Sequence, residues 1–122
     1  LLGGCETGSV KVTKGYKLKA RWVVHAVGPI WRGGEANEAG LLADCYTESL
    51  HAAAELGAKS IVFPAISTGA YAFPINDAAK IAVSSITSIK EQFEFDRIIF
   101  ACIDAKNYKA MHHALKAEGA VT

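Results

Sequence analysis

Apolar positions along this chain fall into two kinds of pattern, and their alternation predicts the architecture. Trp22-Val-Val-His-Ala-Val27, Ser60 to Ile66 and Arg97 to Ile103 are short runs, apolar almost throughout, with the length and branched content of buried strands. Ser9 to Thr13 differs: Val10 and Val12 alternate with polar residues, as in a strand with one face in water. Longer segments repeat apolar residues at helical spacing. Leu42, Cys45, Tyr46, Ser49, Ala53 and Leu56 line one such face, and Gly57 stands where a left-handed residue closes a helix. Ile75, Ala79, Ala82, Ile86 and Ile89 line a second helix ending near Glu91. Tyr108, Met111 and Leu115 are the inward residues of a third, from Asn107 to Ala117.

The resulting order is β, β, α, β, α, β, α. Strands apolar on both faces, alternating with amphipathic helices, predict an α/β fold with a mostly parallel sheet covered on both sides. Neither an internal repeat nor a linker breaks the 122 residues, so a single domain is expected. Ligands of such sheets bind beyond the carboxyl ends of the strands. The loop from Ser67 to Phe73, the loop from Gly28 to Gly34, and Asp104 all fall at that edge.

The first of these loops carries the most information. Ile61-Val-Phe-Pro-Ala-Ile66 ends abruptly in Ser67-Thr68-Gly69, passes Tyr71 and reaches Pro74, a residue suited to the first position of a helix. A turn of small residues beside a helix N-terminus leaves backbone N–H groups and the helix dipole facing an anion. A plain strand-to-helix connection has the same composition, so both readings stand at this point. The segment holds no Gly-Lys-Ser/Thr, which excludes a Walker loop, and the chain has no GxGxxG. Without a lysine the loop suits a diphosphate held by backbone amides, with the hydroxyl of Ser67 or Thr68 assisting. Tyr71 either packs beneath the loop or lies against a ligand, and ligand contact is preferred. Phe73, adjacent to Pro74, is assigned to the core. Asp104 and Asn107 either meet a ribose or base or cap the last helix.

Composition narrows the remaining classes. The chain is 51% hydrophobic and 20% charged, in the range of ordinary globular proteins. A net charge of +1 with scattered lysines argues against a nucleic-acid surface. No apolar run reaches the roughly 20 residues needed to cross a bilayer, so no membrane partner is expected. Three widely spaced cysteines fit a reducing compartment, and with no signal-like segment a cytoplasmic location is expected. Cys45 and Cys102 read as small buried hydrophobes, and Cys5 lies in a glycine turn with nothing to activate it. His25, His51, His112 and His113 lack metal-ligand spacing, so neither metal nor cofactor is expected. No residue is singled out as catalytic.

Three segments in this order and spacing resemble a macrodomain of the MacroD-type group: Gly3-Gly-Cys-Glu-Thr-Gly8 leading to Val10-Lys-Val-Thr-Lys-Gly-Tyr16, then Val24-His-Ala-Val-Gly-Pro29, then Ile66-Ser-Thr-Gly-Ala-Tyr-Ala-Phe-Pro74. The resemblance runs essentially the whole length and implies a three-layer α/β/α fold that binds ADP-ribose. It assigns the diphosphate to Ser67, Thr68, Gly69, Ala70, Tyr71 and Ala72, with Tyr71 against the proximal ribose. The strand end at Ile103 and Asp104, with Asn107, would approach the adenosine side. Ala72 stands where the family commonly has glycine. Family members begin with further strands, helices and a second glycine-rich loop that have no counterpart here. The chain, which starts at Leu1-Leu2 without methionine, is therefore expected to be an N-terminally truncated, partial macrodomain over residues 1–122. The family's hydrolase activity, on ADP-ribosylated proteins or O-acetyl-ADP-ribose, would need the second loop from upstream sequence or another copy. A truncated sheet also exposes an edge, from which a homo-oligomer is expected, or a purely structural role without a ligand.

Overall fold

A computed structural model describes residues 7–8, 10–14, 22–26, 28–68, 71–102 and 104–119. The elements follow the predicted order: β1 (Val10–Lys14), β2 (Trp22–Ala26), α1 (Glu38–Glu55), β3 (Ser60–Phe63), α2 (Ile75–Ile89), β4 (Arg97–Phe100) and α3 (Ala105–Ala117). A single 3-10 turn, Lys90–Gln92, extends α2. The third and fourth strands are shorter than their apolar runs, each giving way to loop before the run ends.

β3 and β4 pair in parallel, Ser60 opposite Arg97 through Phe63 opposite Phe100. β1 and β2 pair antiparallel, Val10 opposite Ala26 through Lys14 opposite Trp22. The mostly parallel sheet expected from the sequence is thus realised in β3 and β4 only, among the described strands. The reason is length: the link from Lys14 to Trp22 is far shorter than the dozen or more residues a parallel crossover needs.

One apolar cluster joins the three helices to β3 and β4. It includes Leu42, Tyr46 and Leu50 of α1, Phe63 of β3, Ala79, Ala82, Val83 and Ile86 of α2, and Ala110, Met111 and Ala114 of α3. Tyr46 sits at its centre, its ring 5.1 Å from that of Phe63 and 6.4 Å from that of Phe100. The predicted faces of α1 and α2 are the buried ones. At the end of α1, Gly57 takes φ 74° and donates its N–H to Ala54 O at 3.0 Å, closing the helix as its position predicts.

Two expectations about burial need correction. Tyr108 does not face inward: it is 54% exposed, while Ala110, Met111 and Ala114 carry the packing face of α3. The true stripe lies off the side of the helix bearing Tyr108, whose ring instead sits 6.0 Å from that of His112, one turn on. Nor are β3 and β4 covered on both sides. Ile61, Phe63, Ile98 and Phe100 point to the core, but Val62 and Ile99 on the opposite face are 58% and 37% exposed. Apolar sequence on both faces of a strand records what each face can bury, and no described element covers this one. Among the described residues, no helix is long and apolar enough to cross a membrane.

Candidate functional site

Two loops meet at the carboxyl ends of the strands, and the structure joins them at three points. The amide of Trp31 donates to the carbonyl of Tyr71 at 2.9 Å. Beneath that bond the indole of Trp31 packs on the ring of Phe73, centroids 4.9 Å apart. Further in, Gly28 lies so close to Ser67 and Ile66 that a methyl group built on it would stand 2.7 Å from Ile66 Cγ2 and nearer still to Ser67 Oγ. Glycine at 28 is therefore what permits the close approach of the loops.

The loop after β3 is also closed on itself, because Phe73 donates its N–H to the carbonyl of Ser67 at 2.9 Å. Its entry is held by α1: the amide of Ile66 donates to Tyr46 Oη at 3.3 Å. Phe73 is 2% exposed and belongs to the core, as its place beside Pro74 predicts. Tyr71 is 37% exposed, so it does not pack beneath the loop. Pro74 stands one residue before α2 rather than on its first turn. Its extended backbone, φ −56° and ψ 126°, makes it the N-cap residue, and its carbonyl accepts from Ala78 at 2.9 Å.

Both hydroxyls of the loop are turned into the protein. Ser67 Oγ is buried and makes no hydrogen bond with any described group, while Thr68 Oγ1 donates to the carbonyl of Ala65 at 3.4 Å. Ser67 and Ala72 both adopt left-handed backbone, φ 67° and 61°. The reversal of chain direction they produce is the kind that glycine makes without steric cost. At Ala72 the Cβ costs about 1–2 kcal/mol, of which glycine's greater freedom in the unfolded chain returns about 0.5–1. Ala72→Gly is accordingly expected to raise stability by about 0.5–1 kcal/mol, read as a higher urea midpoint at unchanged slope. A lower midpoint would contradict the strain. Gly69, Ala70 and Ile103 lie outside the described residues.

Glu38 is a residue the sequence reading passed over. It opens α1, is 1% exposed, and accepts the amides of Arg32, Gly34 and Ala36 at 2.7, 2.9 and 2.7 Å. Burial pushes its carboxyl up, but these amides and its own outweigh burial and hold it down at about 2, from the usual 4.5. The available signal was a carboxylate at a helix start just after Gly33-Gly34, where free amides of a turn and a helix dipole converge. Because those amides already serve Glu38, the loop after β2 has an internal anion of its own. The unfolded chain takes up a proton near pH 4.5, whereas the folded chain holds Glu38 ionised to about pH 2. Its contribution is full above pH 4.5 and is lost as the pH falls toward 2. Thermal melts from pH 2 to 6 are expected to show Glu38→Gln less stable at neutral pH and less acid-sensitive than the parent. An unaltered acid profile in the variant would rule this role out.

Asp104 is the N-cap of α3. It accepts the backbone N–H of Asn107 at 2.8 Å, and both its oxygens accept from Asn107 Nδ2 at 3.1 Å. These bonds, the backbone one foremost, hold its carboxyl below the usual range. Both residues thus have a structural task, at the strand end where adenosine contact was expected. Cys102 lies just before, its thiol pushed up by burial and then by the charge of Asp104. Among the described residues no three His, Cys, Asp or Glu converge as metal ligands.

Two clefts lie beside the joined loops, bordered by described residues of the helices and of β4. An apolar cleft of about 440 Å³ opens between α2, α3 and β4, bordered by Ile86, Phe100, Cys102 and Tyr108. None of the described residues of the joined loops borders it.

With that geometry in view, residues 2–82 match the family model described as Macro domain. A macro domain-containing protein of Chlorobaculum tepidum is 44% identical over 117 residues, which span 95% of this chain and 68% of its own. The chain belongs to the macro domain family. Among solved macrodomains, one from Oceanobacillus iheyensis with ADP superposes at a TM-score of 0.88, with 34% identity over 93% of this chain and 60% of that one. One from Trypanosoma brucei in complex with ADP-ribose gives 0.83, with 36% identity over 92% of this chain and 47% of that one. The chain thus spans about two thirds or less of the length of these relatives, and its fold is that of an α/β macrodomain.

Proposed function

We propose that this macro domain binds ADP-ribose, or a related nucleotide diphosphate, over the joined loops. The observation that carries the reading is how the two ends of the loop after β3 are held: Phe73 is bonded back to Ser67, and Tyr71 and Phe73 are fastened to Trp31, with the Tyr71 side chain left exposed. Loop ends held in place before binding have less conformational entropy to lose when a ligand arrives. Macrodomains solved with ADP and ADP-ribose support the ligand class. The diphosphate would lie along the backbone from Ser67 to Ala72, with both hydroxyls turned inward and the main chain supplying the donors. Tyr71 would lie against the proximal ribose, and the Asp104–Asn107 turn would border the adenosine.

Isothermal calorimetry with ADP-ribose tests this. Saturable heat is expected, with Tyr71→Ala weakening the affinity about tenfold, in line with one lost aromatic contact. A folded sample that gives no heat at millimolar ADP-ribose would remove the proposal. Release of ADP-ribose from modified protein is a separate question, and the binding reading does not depend on it.

A further inference from the structure

A second cleft, of about 500 Å³, lies between the first turns of α2 and α3. Its lining is Ile75 and Asn76 with Lys80 from α2, and Lys106, Lys109, Ala110 and His113 from α3. Lys106, Lys109, Ala110 and His113 fall at i, i+3, i+4 and i+7, a single stripe along α3. Asn76 and Lys80, at i and i+4, form the facing stripe of α2. Three ammonium groups and an imidazole therefore border one concavity, and no carboxylate is among its lining residues.

The arrangement is unfavourable for a helix pair selected for stability alone. Like charges at these spacings repel, and carboxylates at the same positions would convert repulsion into attraction. The chain has acids enough, 12 Asp and Glu against 13 Lys and Arg, so the segregation is not forced by composition. Lys106 faces the charge of Asp104. Lys80, Lys109 and His113 form no ion pair with any described carboxylate. The three lysine side chains and the His113 imidazole are exposed and carried by two helices rather than by a loop. Such a surface focuses positive potential on the space between the helices.

Its residues adjoin both segments assigned above to the nucleotide. Ile75 and Asn76 directly follow the Phe73-Pro74 end of the proposed diphosphate loop, and Lys106 follows the Asp104 turn on the adenosine side. We propose that this cleft is a second anion subsite, which takes a phosphate carried on the adenosine side of the nucleotide beyond the loop-bound diphosphate. The proposal rests on the nucleotide reading above for the identity of its ligand, but the charge cluster stands independently of it.

The experiment separates the two. The His113 ring proton resonances are followed by NMR during titration with inorganic pyrophosphate, and ADP-ribose is compared with ADP-ribose 2′-phosphate by calorimetry. Pyrophosphate is expected to shift His113 saturably in the parent and at least tenfold more weakly in Lys80→Ala/Lys109→Ala, the loss expected for charge-assisted contacts. The 2′-phosphate form is expected to bind about tenfold tighter than ADP-ribose at low salt, an advantage that disappears in the double variant and at high salt. Both lysines are exposed, so circular dichroism of the variant should match the parent. If neither nucleotide binds but His113 still responds to pyrophosphate, the nucleotide reading falls and the anion subsite stands. An unshifted His113, or an identical shift in the double variant, would overturn the subsite whatever the nucleotides do.

Discussion

Replacing Tyr46 by alanine is expected to cost about 3–5 kcal/mol, the range for deleting a large aromatic from a packed core. Domains of this kind are stable by only about 5–15 kcal/mol, so the variant should lose about a third or more of its stability and melt well below the parent. Tyr46 is 1% exposed and its ring bridges α1 to Phe63 and Phe100, so no neighbouring element can close the space without shifting. The informative comparison is Tyr46→Phe, which keeps the ring and removes the oxygen that accepts the Ile66 amide. Leaving that amide without an acceptor costs about 1 kcal/mol, and the cost falls where the loop after β3 begins. Tyr46→Phe should therefore weaken ADP-ribose binding several-fold while retaining a cooperative melt. Burial pushes the Tyr46 hydroxyl up to about 12, so it stays neutral and the difference between the two proteins should be the same at pH 6 and pH 9. An effect that varied across that interval would assign the loss to some other group.

How much of this was legible in the sequence depends on the scale of the pattern. The stripe from Leu42 to Ala53 and the one from Ala79 to Ile86 are periodic over several turns, and periodicity of that length specifies both the helix and its buried face. The glycine at 57 and the core position of Phe73 were legible for local reasons that the structure satisfies. Tyr108 was not, because three residues over two turns leave the phase of a helix uncertain by one position. The antiparallel pairing of β1 and β2 depends on how short their link is, which apolar content does not report. At the site, the small-residue loop and its exposed Tyr71 were readable. Trp31 and Tyr46, which hold that loop, and Glu38, which holds the loop after β2, were not. Each acts across a gap in sequence: Trp31 on Tyr71 and Phe73, Glu38 backward on three amides, Tyr46 on Ile66. A single sequence carries no register for such contacts. The neighbours in space become known only once α1 is laid against the loops.

That contact between loops is open to a direct test through Gly28. Gly28→Ala is expected to cost about 1–3 kcal/mol, because its methyl group would enter the space of Ser67 Oγ and Ile66 Cγ2 in a region with no slack. Affinity for ADP-ribose should fall at least tenfold with it, since the loop must move outward from the strand ends to make room. Ser67→Gly works in the opposite sense. It removes a buried hydroxyl without a described partner and relieves a left-handed backbone, so it should be neutral or stabilising by up to about 1 kcal/mol. Combined, the two changes should not add. With Ser67 Oγ gone the new methyl group gains most of its room, and the double variant should recover about 1–2 kcal/mol over the sum of the singles. The contact with Ile66 Cγ2 remains, so recovery should be incomplete and Gly28→Val should stay defective in either background. Strict additivity in urea melts would mean that Gly28 and Ser67 do not touch, and the two loops would then have to be treated as independent. Coupling in stability together with recovered ADP-ribose affinity would instead place the close approach of the loops at the root of both.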